Sequence, residues 1–456
     1  MNEFKILSPT AILGYGFPEK SFYRGLEMGV DAIAVDGGSV DPGPYYLGSG
    51  ESFTDRTAVK RDLTYMIKAG IEYKIPVLLG TAGGSGADKH LQWCFNIVKE
   101  IANKLNYRLK VALIRAEFKQ EQVISAYQKD NIKPLHSIEE LTPEEIESSR
   151  HIVGQMGYEP IIKALQAEVD IVLAGRAYDP SVFAAPSIMK GYHKGLALHM
   201  GKILECASIA AEPGSGSDCM LGILKKDSFI LEALNLERKC TVTSVAAHTL
   251  YEKSNPYKLY GPGGIIDLSA TRFNQLDQRR VEVTGSKFVE SKEYTVKLEG
   301  AKQVGYRTLA VAGTRDPIMI SQIDDIIADV RKMVRNNFTE LDQNDFELYF
   351  KIYGKNGVMG AQEPVKEIST HELGIIIEVI AVSQELADTI CSFTRSSMLH
   401  YGYKGRKATA GNLAFPYSPS DISTGEVYEF NIHHLLKVDD PVSCFPIQIK
   451  EVGSDG

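Results

Sequence analysis

Two aspartates near the start of the chain have the chemistry of proton carriers. Asp36 and Asp41 lie in the segment 36–48, which is rich in Gly, Pro and Asp, and their carboxyl groups could act as general acid, general base or metal ligands. Aspartates also cap turns, and that is the commoner role for at least one of these two. Asp36 is the stronger catalytic candidate, because it directly follows an apolar, strand-like run.

A glycine-rich segment offers a second kind of chemistry, the binding of an anion. Residues 80–88 read Gly-Thr-Ala-Gly-Gly-Ser-Gly-Ala-Asp and separate an apolar run from a helical pattern. Glycines let the backbone approach a ligand closely, and the amides and dipole of a helix start favour an anion. The spacing matches neither nucleotide-binding fingerprint, and a tight strand-to-helix turn explains the glycines equally well. The residues predicted to bind substrate here are Thr81, Gly83, Gly84, Ser85 and Gly86.

Two arginines could hold a substrate carboxylate. Arg176 stands three residues before Asp179, so its planar fork could bind a carboxylate while Asp179 orients it or takes part in catalysis. An internal ion pair that braces the loop is an equal alternative. Arg115, two residues before Glu117, makes a similar and weaker case for substrate binding.

The histidines add one candidate catalytic base. His248 lies among apolar residues and is predicted to act in catalysis, although a buried, hydrogen-bonded histidine is the usual explanation for such a position. His199 shares a helix face with Lys202, and Glu205 follows one step along that face. These three could move a proton, but a helix with one polar stripe is commoner.

The elements that would bring these residues together alternate between strand and helix. Five apolar runs in the first 180 residues each lead through a loop into a helical pattern; they are 5–13, 32–36, 76–81, 110–115 and 170–176. This alternation predicts an α/β fold with a mostly parallel sheet flanked by helices, whose loops gather at one edge where ligands bind. The residues predicted to face one cavity there are Asp36, Asp41, Thr81, Ser85, Arg115, Glu117, Arg176 and Asp179.

The rest of the chain predicts an antiparallel section and a second domain. Residues 262–313 alternate with period two, which is typical of an antiparallel meander. A boundary near 360–370 separates an α/β domain of residues 1–360 from a small α+β domain of residues 361–452. Residues 453–456 are predicted to form a tail.

The composition restricts the function classes. A formal net charge of −8 argues against a nucleic-acid partner or an anionic membrane surface. The chain contains no run of about 18 uncharged apolar residues, so no membrane span is expected. Six widely spaced cysteines and a start without a signal-peptide pattern indicate a cytoplasmic protein with reduced thiols. No motif requires a cofactor or a metal, while a divalent cation on the aspartates stays an open alternative.

Several segments resemble the acyclic terpene utilisation (AtuA-like) family. They are residues 12–17 (ILGYGF), 80–86 (GTAGGSG), 171–179 (IVLAGRAYD), 201–206 (GKILEC) and 247–252 (AHTLYE). The resemblance covers about the first 360 residues and implies an α/β body, with a small ferredoxin-like domain after it. It also implies a cytoplasmic role in breaking down small carbon compounds, since the family's namesake belongs to a pathway for branched unsaturated acids as CoA thioesters. It supplies no catalytic residues.

The combination of anion donors and acid/base groups predicts a lyase, most simply a hydratase or dehydratase acting on a small carboxylate or its CoA thioester. The segment 36–48 differs from what the terpene-pathway members lead us to expect, which favours a smaller and more polar substrate. A non-catalytic ligand-binding or partner subunit is one alternative, and an isomerase or mutase on a similar acid is another. A homo-oligomer is the default expectation.

Overall fold

Strands alternate with helices along the first part of the chain, as the apolar periodicity predicts. The computed structural model describes residues 3–135, 140–250, 255–342 and 344–453. The strands in these ranges are β1 (Phe4–Ser8), β2 (Ala32–Asp36), β3 (Val77–Gly80), β4 (Leu109–Ile114), β5 (Ile132–Pro134), β6 (Ser149–Gly154), β7 (Ile171–Ala174), β8 (Met220–Leu224), β9 (Ser228–Ala233), β10 (Lys258–Gly261), β11 (Gly264–Asp267), β12 (Arg272–Gln275), β13 (Arg280–Thr284), β14 (Lys287–Glu290), β15 (Thr295–Thr314), β16 (Phe346–Tyr353), β17 (Leu373–Ala381), β18 (Asp421–Lys437) and β19 (Ile447–Val452). The helices are α1 (Glu19–Glu27), α2 (Pro44–Ser49), α3 (Arg56–Tyr73), α4 (Asp88–Leu105), α5 (Gln120–Gln128), α6 (Pro143–Ser148), α7 (Glu159–Leu165), α8 (Ser181–Met189), α9 (Lys194–Leu204), α10 (Val242–Leu250), α11 (Pro317–Ser321), α12 (Ile323–Asn337) and α13 (Gln384–Leu399). None of these helices has the length and apolarity needed to cross a lipid bilayer.

A ten-stranded sheet forms the centre of the first of two structural units. Its order is β12-β13-β9-β8-β1-β2-β3-β7-β4-β19. The strands β1, β2, β3, β7 and β4 run parallel, so their carboxyl ends share one edge. The register places Asp36, the last residue of β2, opposite Gly80, the last residue of β3. The predicted α/β class is therefore confirmed as a mixed architecture with parallel and antiparallel strands.

Helices cover both faces of the parallel strands. Successive strand residues point to opposite faces, so Ile33 packs in one apolar cluster with Leu63 of α3, and Ala34 packs in another with Phe183 of α8. Burying a side chain such as Leu63 or Phe183 stabilises the fold by about 1.5–3 kcal/mol. The two layers together hold the strand ends in fixed positions.

The period-two region forms antiparallel strands, but they belong to more than one sheet and do not form a single meander: β12 pairs with β13, and β11 pairs with β14. β13 joins the ten-stranded sheet through β9, whereas residues 295–314 form one long strand, β15. Gly300 lies inside this strand because it allows a neighbour to approach closely: a Cβ there would lie 2.9 Å from Ile432. A glycine inside a period-two pattern can therefore serve close strand packing and need not mark a turn.

The bounds of the two units differ from the predicted 1–360 and 361–452. The first unit is Met1–Lys302 with Phe430–Gly456, and the second is Gln303–Glu429. In the first unit, β6 pairs with the start of β15, and β5 pairs with the end of β18. In the second unit, the strands are ordered β16-β17-β15-β18, and α12 and α13 share an apolar core with them. Strands β15 and β16 thus precede the boundary that the sequence indicated near residue 360, yet they contribute to the second unit.

Two glycines share a left-handed backbone conformation and differ in the space around them. Gly86, in the glycine-rich loop, has φ +72°, and a Cβ there would lie 2.1 Å from the backbone nitrogen of Arg176. Gly29, just after α1, has φ +73° and would place a Cβ in open space. The Gly86 carbonyl accepts a hydrogen bond from the Arg176 amide at 3.2 Å, so the loops after β3 and β7 are in backbone contact.

Replacing Gly86 with Ala should therefore destabilise the protein more than replacing Gly29 with Ala. Gly29→Ala imposes only the left-handed conformation on a residue with a Cβ, which costs about 1–2 kcal/mol. Gly86→Ala adds the overpacking of two loops, a further cost of about 1–3 kcal/mol. The measurement is the free energy of unfolding in urea for both variants. Equal losses would contradict the close contact of these loops.

Candidate functional site

The loops after β2, β3 and β7 converge at the carboxyl edge of the parallel strands. The amide of Gly37 donates to the carbonyl of Gly80 at 2.8 Å. Arg176 Nη1 lies 3.4 Å from the hydroxyl of Thr81, to which it donates. Asp36, Thr81 and Arg176 are all buried. Parallel pairing therefore brings together side chains that are up to 140 positions apart in the sequence.

Arg176 is a buried cation whose donors are occupied by the protein itself. Its Nε donates to Glu299 at 2.6 Å, and its Nη2 reaches the same carboxylate at 3.4 Å. Nη1 donates to the Ala177 carbonyl at 2.8 Å and to Asp179 at 3.2 Å. The fork that the sequence assigned to a substrate carboxylate is filled by Glu299. The internal ion pair, which was the alternative, is the geometry observed.

Thr81 stands in an uncommon conformation beside this pair. Its φ is +44°, which is an outlier for a β-branched residue and costs on the order of 1–3 kcal/mol. Its hydroxyl accepts hydrogen bonds from the Ala177 amide at 3.3 Å and from Arg176. These contacts join the loop after β3 to the loop after β7, so the Thr81 hydroxyl already has internal partners.

Asp36 is a buried carboxyl whose pKa is raised. Burial raises the pKa of Asp36 well above its ordinary value, and the charges of Asp179 and Glu205 raise it further. The charge of Arg176 and a hydrogen bond from the Gly38 amide lower this pKa and offset only part of the rise. The Oδ1 atom is buried and makes no hydrogen bond within the described ranges. A protonated carboxyl with a free oxygen at a strand end is suited to donate a proton.

A lysine–glutamate pair from α9 lies beside Asp36. Lys202 donates to Glu205 three residues on, and the two are only 3% and 5% exposed. Both act on Tyr178: burial raises the pKa of this phenol, the Lys202 charge lowers it and the Glu205 charge raises it again. Tyr178 therefore stays protonated, and its hydroxyl has no hydrogen-bond partner among the residues described. It is available as a donor.

The charges of this region balance only if one carboxyl keeps its proton. We call the region the Asp36 cluster; it contains Asp36, Arg176, Tyr178, Asp179, Lys202, Glu205, Lys297 and Glu299. Its three cations face four carboxyl groups, and Asp36 is the carboxyl whose pKa burial raises. Within the described chain, no three His, Cys, Asp or Glu side chains are grouped as a metal site.

The glycine-rich loop uses many of its amides internally. Backbone carbonyls accept from the amides of Thr81, Ala82, Gly84 and Gly86. The first amide of α4, that of Asp88, donates to Glu117 at 2.7 Å, so the anion at this helix start is a side chain of the protein. Ser85 differs, because its buried hydroxyl makes no hydrogen bond in the parts of the chain described. Ser85 is therefore the loop's available side-chain donor.

Three predicted site residues lie outside both the Asp36 cluster and the glycine-rich loop. Arg115 is exposed and pairs with Asp88 at 3.0 Å, because the loop after β4 ends beside the start of α4. Asp41 is exposed and accepts from the Ser39 hydroxyl at 2.8 Å. His248 is buried on α10, and its charge is not among those that shift the pKa of Asp36. The neighbouring residues 251–252, quoted for the family resemblance, lie outside the described residues.

His433 extends the polar region toward Asp41. Burial lowers the pKa of His433, while the charges of Glu299, Lys297 and Asp41 also act on it. A neutral imidazole beside the Glu299 carboxylate could accept or relay a proton. His433 is therefore within electrostatic reach of both Asp41 and the Glu299 carboxylate.

His199 has a structural role instead. Its ring nitrogens contact the hydroxyls of Ser286 at 2.7 Å and Thr249 at 3.2 Å. Burial lowers the pKa of His199 to about 3, so the ring stays neutral. The helix stripe that contains His199, Lys202 and Glu205 therefore divides into a buried neutral group and a charged pair.

Five members of the Asp36 cluster were absent from the predicted site: Tyr178, Lys202, Glu205, Lys297 and Glu299. Tyr178 stands in the Arg176 segment that sequence reasoning did quote, between two residues that it selected. Lys202 and Glu205 were attributed to a polar stripe. The signal of their burial was the run of apolar residues in α9, which contains Lys202 and ends just before Glu205. Glu299 carried no signal, because an acid in an alternating strand is ordinarily exposed.

The Asp36 cluster lies at the carboxyl edge of the parallel strands, which is the edge where α/β proteins ordinarily bind ligands. The family model described as "Acyclic terpene utilisation family protein AtuA" matches residues 58–216 and 227–417. The match covers most of the chain, and the chain belongs to this family. It extends past residue 360, where the sequence resemblance was expected to end. No curated protein and no solved structure matches the chain.

The Arg176–Glu299 pair makes stability depend on pH in a defined direction. Burial alone would raise the pKa of Glu299, but the charges and hydrogen bonds of Arg176 and Lys297 lower it from 4.5 to about 2. The folded state therefore gains stability from the ionised form above pH 4.5, and it loses this gain as the pH falls toward 2. The shift corresponds to a contribution on the order of 3 kcal/mol.

Glu299→Gln should lower the free energy of unfolding at pH 7 by several kcal/mol, because it leaves a buried guanidinium without its partner. The difference from wild type should shrink as the pH falls below 4.5. Urea unfolding at stepped pH values measures it. The control is Glu293→Gln, which removes a surface partner of Lys437 and should change little. A Glu299→Gln difference that stays constant across this pH range would contradict the buried pair.

Proposed function

We propose that the protein is a hydro-lyase, a hydratase or dehydratase that acts on a small carboxylate or its CoA thioester. The observation that carries the proposal is Asp36, a buried carboxyl with a raised pKa and an oxygen without a hydrogen bond in the described chain. It lies at the strand edge where α/β proteins bind ligands. A buried carboxyl with a raised pKa is suited to act as the general acid of such a site.

In the dehydration direction, Asp36 is the acid and Asp179 is the base. The Asp179 carboxylate removes the proton on the carbon next to the substrate carbonyl, and the electron pair of that C–H bond forms an enolate. The enolate then forms the new C=C bond while the C–O bond breaks, and the Asp36 proton converts the departing hydroxyl to water. Asp179 suits this part because its side chain is 24% exposed, whereas Asp36 is buried. Hydration is the reverse sequence.

The enolate oxygen needs a donor that does not itself ionise. Tyr178 fits, because its raised pKa keeps the phenol protonated and its hydroxyl has no partner among the described residues. The hydroxyls of Ser85 and Ser181 are also buried without a partner there. Fixed donors directed at a developing charge in a site with little water contribute the largest share of many rate enhancements.

Arg176 is a positioning residue in this scheme. Its guanidinium contacts Glu299 and Asp179, so it fixes the base and does not bind the substrate carboxylate. The sequence assigned substrate binding to Arg115 and to the amides of the glycine-rich loop. In this scheme, only Gly83 and Ser85 of that loop could still bind substrate.

A non-catalytic ligand-binding or partner subunit is the second candidate. One observation favours it: Arg176 and the amides of Gly84 and Gly86 are engaged inside the protein, which removes donors that an enzyme of this class would direct at its substrate. An isomerase or mutase would use the same acid and base as the lyase and would differ in its product.

We also propose that the second unit is a ferredoxin-like domain of a cytoplasmic homo-oligomer. Along the chain this unit reads β15-α12-β16-β17-α13-β18, apart from the short α11, and across the sheet it reads β16-β17-β15-β18. This β-α-β-β-α-β pattern supports the proposal, with the bounds 303–429 in place of 361–452. The edge strand β16 would offer a pairing surface across a two-fold axis.

Asp36→Asn should lower kcat about 10²- to 10⁴-fold, because an amide cannot deliver the proton to the departing hydroxyl. The substrate is first sought by a thermal-shift screen of small carboxylates and CoA thioesters. Asp227→Asn, in the exposed turn between β8 and β9, is the matched control and should retain activity. Full activity of Asp36→Asn would remove Asp36 from the scheme. Saturable binding without turnover by the wild type would favour the ligand-binding subunit.

The same pair of variants should differ in how their stability depends on pH. The folded state binds the Asp36 proton more tightly than the unfolded state does, so wild-type stability falls as the pH rises from about 4 to the raised pKa. Asp36→Asn removes this titration and should become more stable relative to wild type across that window. Urea unfolding between pH 4 and pH 9 checks it. Asp227→Asn should follow the wild type, and an Asp36→Asn curve parallel to wild type would show that the proton is not held.

A further inference from the structure

A pocket in the second unit combines apolar side chains with two arginines. It lies between α12 and β16 and encloses about 410 Å³, which is within the size range of small-molecule sites. The side chains used below are Arg331, Arg335, Phe338, Leu341, Phe346 and Leu348. The four apolar ones are partly buried against the core of this unit.

The two arginines lie one helical turn apart and share no carboxylate. Arg331 Nη1 donates to the Leu348 carbonyl at 2.5 Å, and its guanidinium carbon lies 5.1 Å from the centre of the Phe350 ring. Arg335 is exposed and forms no ion pair with any residue described. Like charges four positions apart repel each other. Burial and the Arg335 charge both lower the pKa of Arg331, so a counter-ion would stabilise the pair.

Two carboxylates in the pocket lining do not supply this counter-ion. Glu347 accepts a hydrogen bond from the Tyr349 hydroxyl at 2.7 Å. Neither Glu347 nor Asp342 is among the groups whose charge shifts the pKa of Arg331. The helix side of the pocket therefore stays positive, next to an apolar floor.

We infer that this pocket binds a carboxylic acid with an apolar body. The carboxylate lies between Arg331 and Arg335, because planar guanidinium groups match its two oxygens. The apolar body covers Phe338, Leu341 and Phe346. This site is separate from the Asp36 cluster and does not depend on the proposed lyase activity.

The test is isothermal titration of the full chain with sodium octanoate. Saturable binding is expected, about tenfold tighter than binding of octanamide, which has the same body without the charge. Arg335→Gln should weaken octanoate binding by about tenfold or more, while Arg335→Lys should retain part of it. Lys332→Gln, one residue from Arg331 on the same helix, is the matched control and should bind as the wild type does.

Two further measurements keep the result specific. Circular dichroism melting of Arg335→Gln shows whether the exposed substitution leaves the fold intact. Leu341→Ala should weaken octanoate binding, because Leu341 lines the pocket and is proposed to contact the apolar body, which assigns the binding to this pocket. Absence of octanoate binding at millimolar concentration, equal binding of octanamide, or undiminished binding by a folded Arg335→Gln would each overturn the inference.

Discussion

The ion pair between Arg176 and Glu299 is the interaction on which the rest of the site depends. Both side chains are buried, 2% and 0% exposed, and either charge alone would be costly in that environment. Because Glu299 holds the guanidinium by Nε, the remaining donors reach Asp179 and the Ala177 carbonyl. One cation therefore fixes the β7 loop against β15 and sets the position of the candidate base.

The proton on Asp36 follows from the whole group of charges. Arg176, Lys202 and Lys297 are each paired with a carboxylate, and Asp36 has no cation of its own in the described structure. In a buried region a fourth negative charge would be unpaired, so the carboxyl keeps its proton. The Asp36 cluster therefore differs from a site in which a single neighbouring charge sets the pKa of a single acid. Any change that removes a cation or adds a carboxylate would alter the proton affinity of Asp36.

The sequence predicted the sheet better than it predicted the site. Apolar runs and their spacing located the strands that end at Asp36, Gly80 and Ala174, since period and turn residues are local signals. Glu299 could not be selected, because its partner stands 123 positions away and its strand looks half-exposed. The two structural units divide at a different position from the indicated boundary for a related reason: β15 continues through its glycines, and glycines are local signals of turns.

The glycine-rich loop shows why a motif and its chemistry can separate. Its glycines allow three loops to meet at backbone distance: a Cβ on Gly86 would strike Arg176, and one on Gly38 would lie 3.2 Å from Gly84. The same contacts occupy loop amides that an anion would need. In the proposed scheme, side-chain hydroxyls such as that of Tyr178 polarise the substrate. Side-chain donors can change by single substitutions without disturbing the backbone, so substrate choice can vary while the glycine loop stays the same.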